Sequence, residues 1–213
     1  MIFDEKEFYV ISATIFVAIT GYIFTYISQR KRDKTLARLS RVNSQLKHFY
    51  GPLFSLLHAN NSSWVAFSKN YWPSHSKENY FDEKEKLTSD EKRTWKLWVE
   101  IVFLPMNEEM VNIIIHNTDL IEADDFPQVF SDLITHVNSY KVIKKKWGLN
   151  ADNEMYSPIN SFPREALSME IDPIFHMLKA EQTFLLGALS QNQSTYIKKI
   201  RSFKMEKNIA KRS

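Results

Sequence analysis

A run of twenty uncharged residues, 8–27, dominates the hydrophobic pattern near the start of the chain. A helix of this length rises about 30 Å, the hydrocarbon thickness of a bilayer. Acidic residues precede the run, and a basic cluster follows it: Arg30, Lys31, Arg32, Lys34, Arg38 and Arg41. The positive-inside rule therefore predicts a cytoplasmic location for everything downstream. The acidic start and the lack of a small-residue cleavage site argue against a cleaved signal, so we expect a retained anchor.

Helical periodicity continues from about residue 28 to residue 71. One seam has the 3-4 spacing of a heptad repeat and comprises Leu36, Leu39, Asn43, Leu46, Tyr50, Leu53 and Leu57. Asn43 falls where a buried asparagine fixes the register of a parallel dimer, so the seam is a candidate dimer interface. Val42, Phe49 and Leu56 flank the seam where a coiled coil usually has charge. This wider apolar face favours packing inside the chain over a dimeric coiled coil.

Gly51 and Pro52 interrupt this periodic stretch. Proline lacks an amide proton and crowds the preceding turn, so we expect a kink there, with helix resuming over residues 53–58. Residues 60–63, Asn-Asn-Ser-Ser, predict a short turn.

The stretch NSQLKHFYGPL, residues 43–53, resembles the N-x-Q-L-x-x-x-Y-G-P-L segment of uncharacterised, N-terminally anchored bacterial helical proteins. The resemblance covers about the first third of the chain. It implies a bacterial inner-membrane setting and carries no activity.

The middle of the chain begins with a charged, aperiodic stretch, 73–87, which predicts an exposed loop. Thr88 followed by Glu91 forms a capping-box pattern, so a helix should start there. Pro105 should kink or end that helix, and Asn107 should start another. Its uniformly apolar positions, namely Met110, Val111, Ile113, Ile114 and Ile115, predict the centre of the core.

Three further boundaries follow from turn and cap chemistry. Residues 124–127, Asp-Asp-Phe-Pro, predict a helix start, and Gly148 predicts its stop. Residues 149–171 should be irregular, with helix restarting at Asp172 and Pro173. Helical spacing then extends to about residue 203, which predicts a last helix nearly as long as the first cytoplasmic one.

Composition narrows the fold class. Four glycines and abundant aromatic residues disfavour both a turn-rich β fold and disorder. The absence of cysteine excludes disulfides and thiolate metal sites. We expect an all-α protein: a short segment 1–7, a transmembrane helix 8–27, and one cytoplasmic helical bundle 28–213 of about five to seven helices with long first and last helices.

Charge divides the chain into an acidic middle, 73–172, and two basic ends. The C-terminal basic cluster comprises Lys198, Lys199, Arg201, Lys204, Lys207, Lys211 and Arg212. If the last helix runs antiparallel to the first cytoplasmic helix, both basic clusters meet at the membrane and bind anionic lipid. A solvated tail is the alternative. No nucleic-acid motif is present, and the acidic middle disfavours nucleic acid as a partner.

A stripe of small residues runs along the anchor at 4-3-4 spacing: Thr14, Ala18, Gly21 and Thr25. Small side chains allow two membrane helices to approach closely, so the stripe predicts a homodimer.

Catalytic chemistry has little support in the sequence. No glycine loop for phosphate, no G-x-S-x-G motif and no paired histidine motif occurs. His116, Asp119, Asp132 and His136 form a metal site only if their helices bring them together. The alternative is two ordinary structural histidines, and we expect neither metal nor cofactor.

These patterns predict a membrane-anchored interaction or scaffold protein with an unidentified protein partner, and not an enzyme. The first alternative is a toxin-like or phage-defence effector whose anchors oligomerise and perturb the bilayer. The second is an unrecognised metal-dependent enzyme.

Overall fold

The computed structural model describes residues 5–74, 86–149 and 157–187, and every regular element in these ranges is helical. Six α-helices follow one another: α1 (Glu5–Gln45), α2 (Gly51–Tyr71), α3 (Ser89–Trp98), α4 (Leu104–His116), α5 (Gln128–Leu149) and α6 (Arg164–Leu185). A π-turn, Leu46–Tyr50, joins α1 to α2, and a second, Val99–Phe103, joins α3 to α4. A short 3₁₀ turn, Thr118–Leu120, follows α4.

The first two helices form one unbroken helical element. The interruption predicted at Gly51 and Pro52 takes the form of the π-turn, in which the Gly51 amide bonds to the Leu46 carbonyl five residues back. Pro52, which lacks an amide proton, follows directly in the first turn of α2, so the π-turn lies where the proline would disturb a regular α-helix. The turn predicted at residues 60–63 is wrong, because Asn60 is buried in the middle of α2 and held there by packing.

The helix start at Thr88 is confirmed in detail. The Thr88 hydroxyl accepts a hydrogen bond from the Glu91 amide at 3.2 Å, and the Glu91 carboxylate accepts one from the Thr88 amide at 2.7 Å. The predicted new start at Asn107 is wrong. Pro105 again lies just after a π-turn, and α4 runs through Asn107, whose side chain is buried.

Helix α5 has nearly its predicted bounds, whereas α6 begins earlier and ends earlier than predicted. Helix α5 starts at Gln128, directly after Pro127, and ends next to Gly148. Helix α6 starts at Arg164, so residues 164–171 are helical and not irregular. Pro173 lies inside α6, where its missing donor leaves only the carbonyl of the exposed Met169 without a helical partner.

The prediction of one long C-terminal helix is wrong, because the helix ends about halfway along the predicted stretch. Helix α6 ends at Leu185, and Gly187 takes the left-handed backbone conformation with φ of 72°. This conformation terminates helices and suits glycine because it has no Cβ. Residues beyond 187 lie outside the described ranges.

One hydrophobic core among the described residues contains side chains from all six α-helices and from both π-turns. Phe49 and Phe130 meet in it with ring centroids 5.9 Å apart. Met110, Val111 and Ile114 are buried as predicted, whereas Ile115 is 53% exposed. Ile113 is partly buried at the edge of the core, and Ile115 faces away because only one face of α4 packs against its neighbours.

The first half of α1 packs against nothing in the described chain. Its large apolar side chains are exposed, among them Ile15, Phe16, Val17, Ile23 and Phe24. Within the described residues, this is the one helical stretch long and apolar enough to cross a membrane. Exposed apolar surface on this scale requires a non-aqueous environment or a partner.

Candidate functional site

The second half of α1 docks onto the rest of the fold through a polar junction. We define the junction as Arg38, Arg41, Gln45 and Tyr50 together with residues 119–122 and Glu181. The Arg38 guanidinium binds the Glu181 carboxylate with both Nε (2.8 Å) and Nη2 (2.7 Å). This paired contact has the fixed geometry that arginine and carboxylate favour, and it raises the pKa of Arg38. It joins α1 to α6.

The connector between α4 and α5 is held by the next three junction residues. Arg41 Nη2 donates to the Asp119 carbonyl at 3.0 Å, and Gln45 Nε2 donates to the Leu120 carbonyl at 3.0 Å and to Glu122 Oε2 at 2.7 Å. The Tyr50 hydroxyl accepts a hydrogen bond from the Glu122 amide at 2.8 Å, and burial raises the pKa of its phenol. The junction therefore fixes the anchor helix to two separate parts of the domain.

The heptad seam divides into a covered and an uncovered part. Tyr50, Leu53 and Leu57 are fully buried within the chain, as are the flanking Val42 and Phe49, whereas Leu36 is 52% exposed. Asn43 is exposed, and its Oδ1 accepts a hydrogen bond from Gln182 of the same chain at 2.7 Å. These contacts favour packing inside the chain, and a dimer through Leu36 and Asn43 stays a prediction.

The basic residues after the anchor have two different environments. Arg30, Lys31, Arg32 and Lys34 are exposed, and the Arg30 guanidinium lies 5.7 Å from the ring centroid of Tyr26. Arg38 and Arg41 belong to the junction instead. The C-terminal cluster, from Lys198 to Arg212, lies outside the described residues.

The small-residue stripe lies on the exposed part of α1. Thr14, Ala18, Gly21 and Thr25 are all exposed, and space around Gly21 is open to 4 Å. The Thr25 hydroxyl donates to the Gly21 carbonyl at 2.8 Å, which satisfies this polar group inside the helix. Self-association through the stripe stays a prediction.

The four side chains considered for a metal site do not converge. No group of three or more metal-binding side chains occurs within residues 5–74, 86–149 and 157–187. His116 Nδ1 contacts the Asn112 carbonyl at 2.8 Å, and Asp132 accepts a hydrogen bond from Gln128 at 3.0 Å. His136 is buried, with Nδ1 2.8 Å from the Asn160 carbonyl. His116, Asp132 and His136 thus each have an ordinary structural contact.

The buried His136 predicts a pH-dependent stability. Burial lowers its pKa below the ordinary value of about 6.5, so the unfolded chain binds this proton at higher pH than the folded chain. The stability contributed by the neutral imidazole is complete above about pH 6.5 and decreases as pH falls towards the folded pKa. We expect the Tm to decrease over this window in thermal unfolding followed by circular dichroism, and His136→Gln to flatten the slope.

His116→Gln is the matched control for this experiment, because His116 is exposed yet makes the same type of carbonyl contact. It should keep the wild-type slope. Equal slopes for wild type and His136→Gln would contradict the prediction.

Comparison of the chain with protein-family models, with curated proteins and with solved structures finds no match. Among the junction residues, Tyr50 was placed on the heptad seam from the sequence, whereas Gln45, Glu122 and Glu181 were not identified. The signal for Tyr50 was its place in the 3-4 spacing of the seam, and no local pattern marked the other three.

Proposed function

We propose that the chain is a single-pass membrane protein whose helical domain is a non-enzymatic interaction or scaffold module. The observation that carries the proposal is the continuity of anchor and domain: the helix that exposes Ile15 and Phe16 also buries Tyr50 and Leu53. The junction ties that helix to α6 and to the α4–α5 connector. A domain held so firmly to its anchor is suited to presenting a surface at a fixed distance from a bilayer.

The orientation we propose has the N-terminus outside and the domain in the cytoplasm, at a bacterial inner membrane. Support comes from the exposed cations that follow the anchor, Arg30, Lys31, Arg32 and Lys34. Near an anionic leaflet each contributes on the order of 1 kcal/mol. The lipid contact we propose rests on these four, because Arg38 and Arg41 bind groups within the domain.

The scaffold proposal is tested by inducible expression of the full chain in bacteria, with membrane potential and growth as readouts. Protease digestion of inverted and right-side-out vesicles reports the orientation in the same cells. A scaffold leaves the potential intact, and its domain is cleaved only in inverted vesicles. Depolarisation with growth arrest would favour the effector, and cleavage in right-side-out vesicles would reject the orientation.

A membrane-acting effector is the second candidate, favoured by the uncovered small-residue stripe. If anchors associate through this stripe, Ala18→Leu and Gly21→Leu should lower the dimer fraction several-fold, because a bulky side chain prevents close approach. Förster transfer between labelled chains in lipid vesicles measures the fraction.

Ala13→Leu is the matched control for the stripe variants. Ala13 lies five residues before Ala18, which places it about 140° around the helix. The control should associate like wild type. An unchanged dimer fraction in Ala18→Leu and Gly21→Leu would remove the stripe from the proposal.

A further inference from the structure

A cavity of about 460 Å³ lies among α2, the α3–α4 π-turn, α5 and the segment before α6. Aromatic rings form much of its wall, including Trp64, Trp95, Phe103 and Phe162. Its volume falls within the range of small-molecule sites, about 300–1,000 Å³, and far exceeds the space of a single water. The walls favour a flat apolar body, because aromatic rings stack on flat surfaces.

Arg164 is the one residue with a permanent charge among the described residues that line this cavity. Its guanidinium lies 5.3 Å from the ring centroid of Trp64 and 5.4 Å from that of Phe162, so the two rings fix its position. Nη1 donates to Asn61 Oδ1, and no carboxylate contacts Arg164 within the described parts of the chain. Burial therefore lowers the pKa of Arg164 without an anion to compensate.

A desolvated guanidinium with unused donors is a binding group for an anion. Arg164 is also the first residue of α6, so the positive end of the helix dipole lies on the same side. Among the described residues that line the cavity, none is an aspartate or glutamate that would repel an anion.

Neutral polar groups complete the lining. Asn60 Nδ2 donates to Asn107 Oδ1 at 2.8 Å, which leaves one amide oxygen and one amide NH₂ of this pair without another partner among the described residues. His136 donates through Nδ1 to the Asn160 carbonyl, so its Nε2 is an acceptor in the neutral ring. Such groups suit the edge of a heteroaromatic ring, which presents donors and acceptors in its own plane.

We propose that this cavity binds a small planar aromatic molecule bearing one carboxylate or phosphate group, with the ring against Trp64 and Phe103 and the anion on Arg164. The pocket is distinct from the anchor and the junction, and its occupancy does not depend on the scaffold role. Occupancy of the pocket would then depend on the concentration of this molecule in the compartment that the domain faces.

The experiment uses the full chain in lipid nanodiscs with 5-fluorotryptophan, observed by ¹⁹F NMR. The chain has five tryptophans, of which Trp64 and Trp95 line the cavity and Trp147 does not. The probes are indole-3-carboxylate and 1-naphthyl phosphate, each paired with a neutral counterpart, indole-3-carboxamide and 1-naphthol. Whichever of the two anions binds more tightly shows whether the site prefers a carboxylate or a phosphate group.

We expect both anions to shift the Trp64 and Trp95 resonances while Trp147 stays unchanged, and to bind about tenfold tighter than their neutral counterparts. Arg164→Gln should remove this preference, and Arg164→Lys should restore part of it, because lysine keeps the charge but not the planar fork. Arg93→Gln is the matched control, since Arg93 is exposed and pairs with Asp90.

Equal affinity for charged and neutral probes would overturn the proposal, as would the absence of any shift at millimolar probe. Shifts of Trp147 as large as those of Trp64 would mean binding elsewhere and would also overturn it. The comparison of charged and neutral probes uses wild type alone, so the test holds even if Arg164→Gln fails to fold.

Discussion

Replacing Gly51 with alanine is expected to destabilise the domain by about 3 kcal/mol, although alanine normally stabilises a helix relative to glycine. A Cβ at position 51 would lie 2.2 Å from the Leu46 carbonyl oxygen, which is a backbone atom and cannot rotate away. That carbonyl also accepts the Gly51 hydrogen bond of the π-turn. Relieving the clash therefore requires the π-turn itself to change, which would disturb Phe49 and Tyr50 in the core.

Gly148→Ala is the control for this variant. Gly148 is also helical, but a Cβ there meets nothing within 4 Å. It should leave stability unchanged or raise it by up to about 1 kcal/mol. Tryptophan fluorescence of the full chain in denaturant follows the domain alone, because all five tryptophans lie beyond residue 63. A Gly51→Ala variant as stable as Gly148→Ala would contradict the structural role of the π-turn.

Replacing Gln45 with alanine is expected to cost about 2 kcal/mol. The Gln45 side chain is fully buried, and its amide donates to both the Leu120 carbonyl and Glu122. Truncation removes the donor from the Leu120 carbonyl, which stays buried, and leaves a small cavity beside it. The connector between α4 and α5 should loosen as a result, which hydrogen exchange at residues 119–122 would detect.

Asn43→Ala is the comparison for Gln45→Ala. Asn43 also makes a hydrogen bond to a distant part of the chain, at 2.7 Å to Gln182, but it is exposed. Water replaces such a bond, so we expect a loss below about 0.5 kcal/mol. If both variants lose the same free energy of unfolding, burial does not decide how much the Gln45 hydrogen bonds contribute to stability. Denaturant unfolding of both variants under the same conditions decides between these outcomes.

Local chemistry could be predicted from the sequence where neighbouring residues alone decide the structure. The capping box at Thr88 and Glu91 is such a case, as is the uncharged run of the anchor. The helix starts predicted at Asn107 and Pro173 were wrong, because the effect of a proline depends on the turn before it and on the packing around it. Pro52 and Pro105 each follow a π-turn, and Pro173 lies in a helix whose flanking turns are held by packing. Packing against the rest of the fold thus allows a proline in or beside a helix where sequence patterns alone predict that the helix ends.

The junction and the cavity could not be predicted, because their partners are far apart in the chain. Arg38 meets Glu181 across 143 positions, and Gln45 meets Leu120 across 75. Arg38 and Arg41 look like the rest of the basic cluster in the sequence, and only the fold separates them from Arg30 and Lys31. Arg164 likewise gives no local signal. A single sequence does not show which of its many basic side chains will have no carboxylate partner in the described part of the fold.

The unbroken helical path from Glu5 to Tyr71 has a mechanical consequence. At about 1.5 Å per residue it forms a rod about 100 Å long, and each residue advances its rotation by about 100°. If residues 8–27 span a bilayer, as we propose, the rotational phase of that segment sets the direction in which the rest of the fold faces. A torque applied to the first half of α1 would reach the junction at Arg38, Arg41 and Gln45 before it reached the π-turn at Leu46–Tyr50.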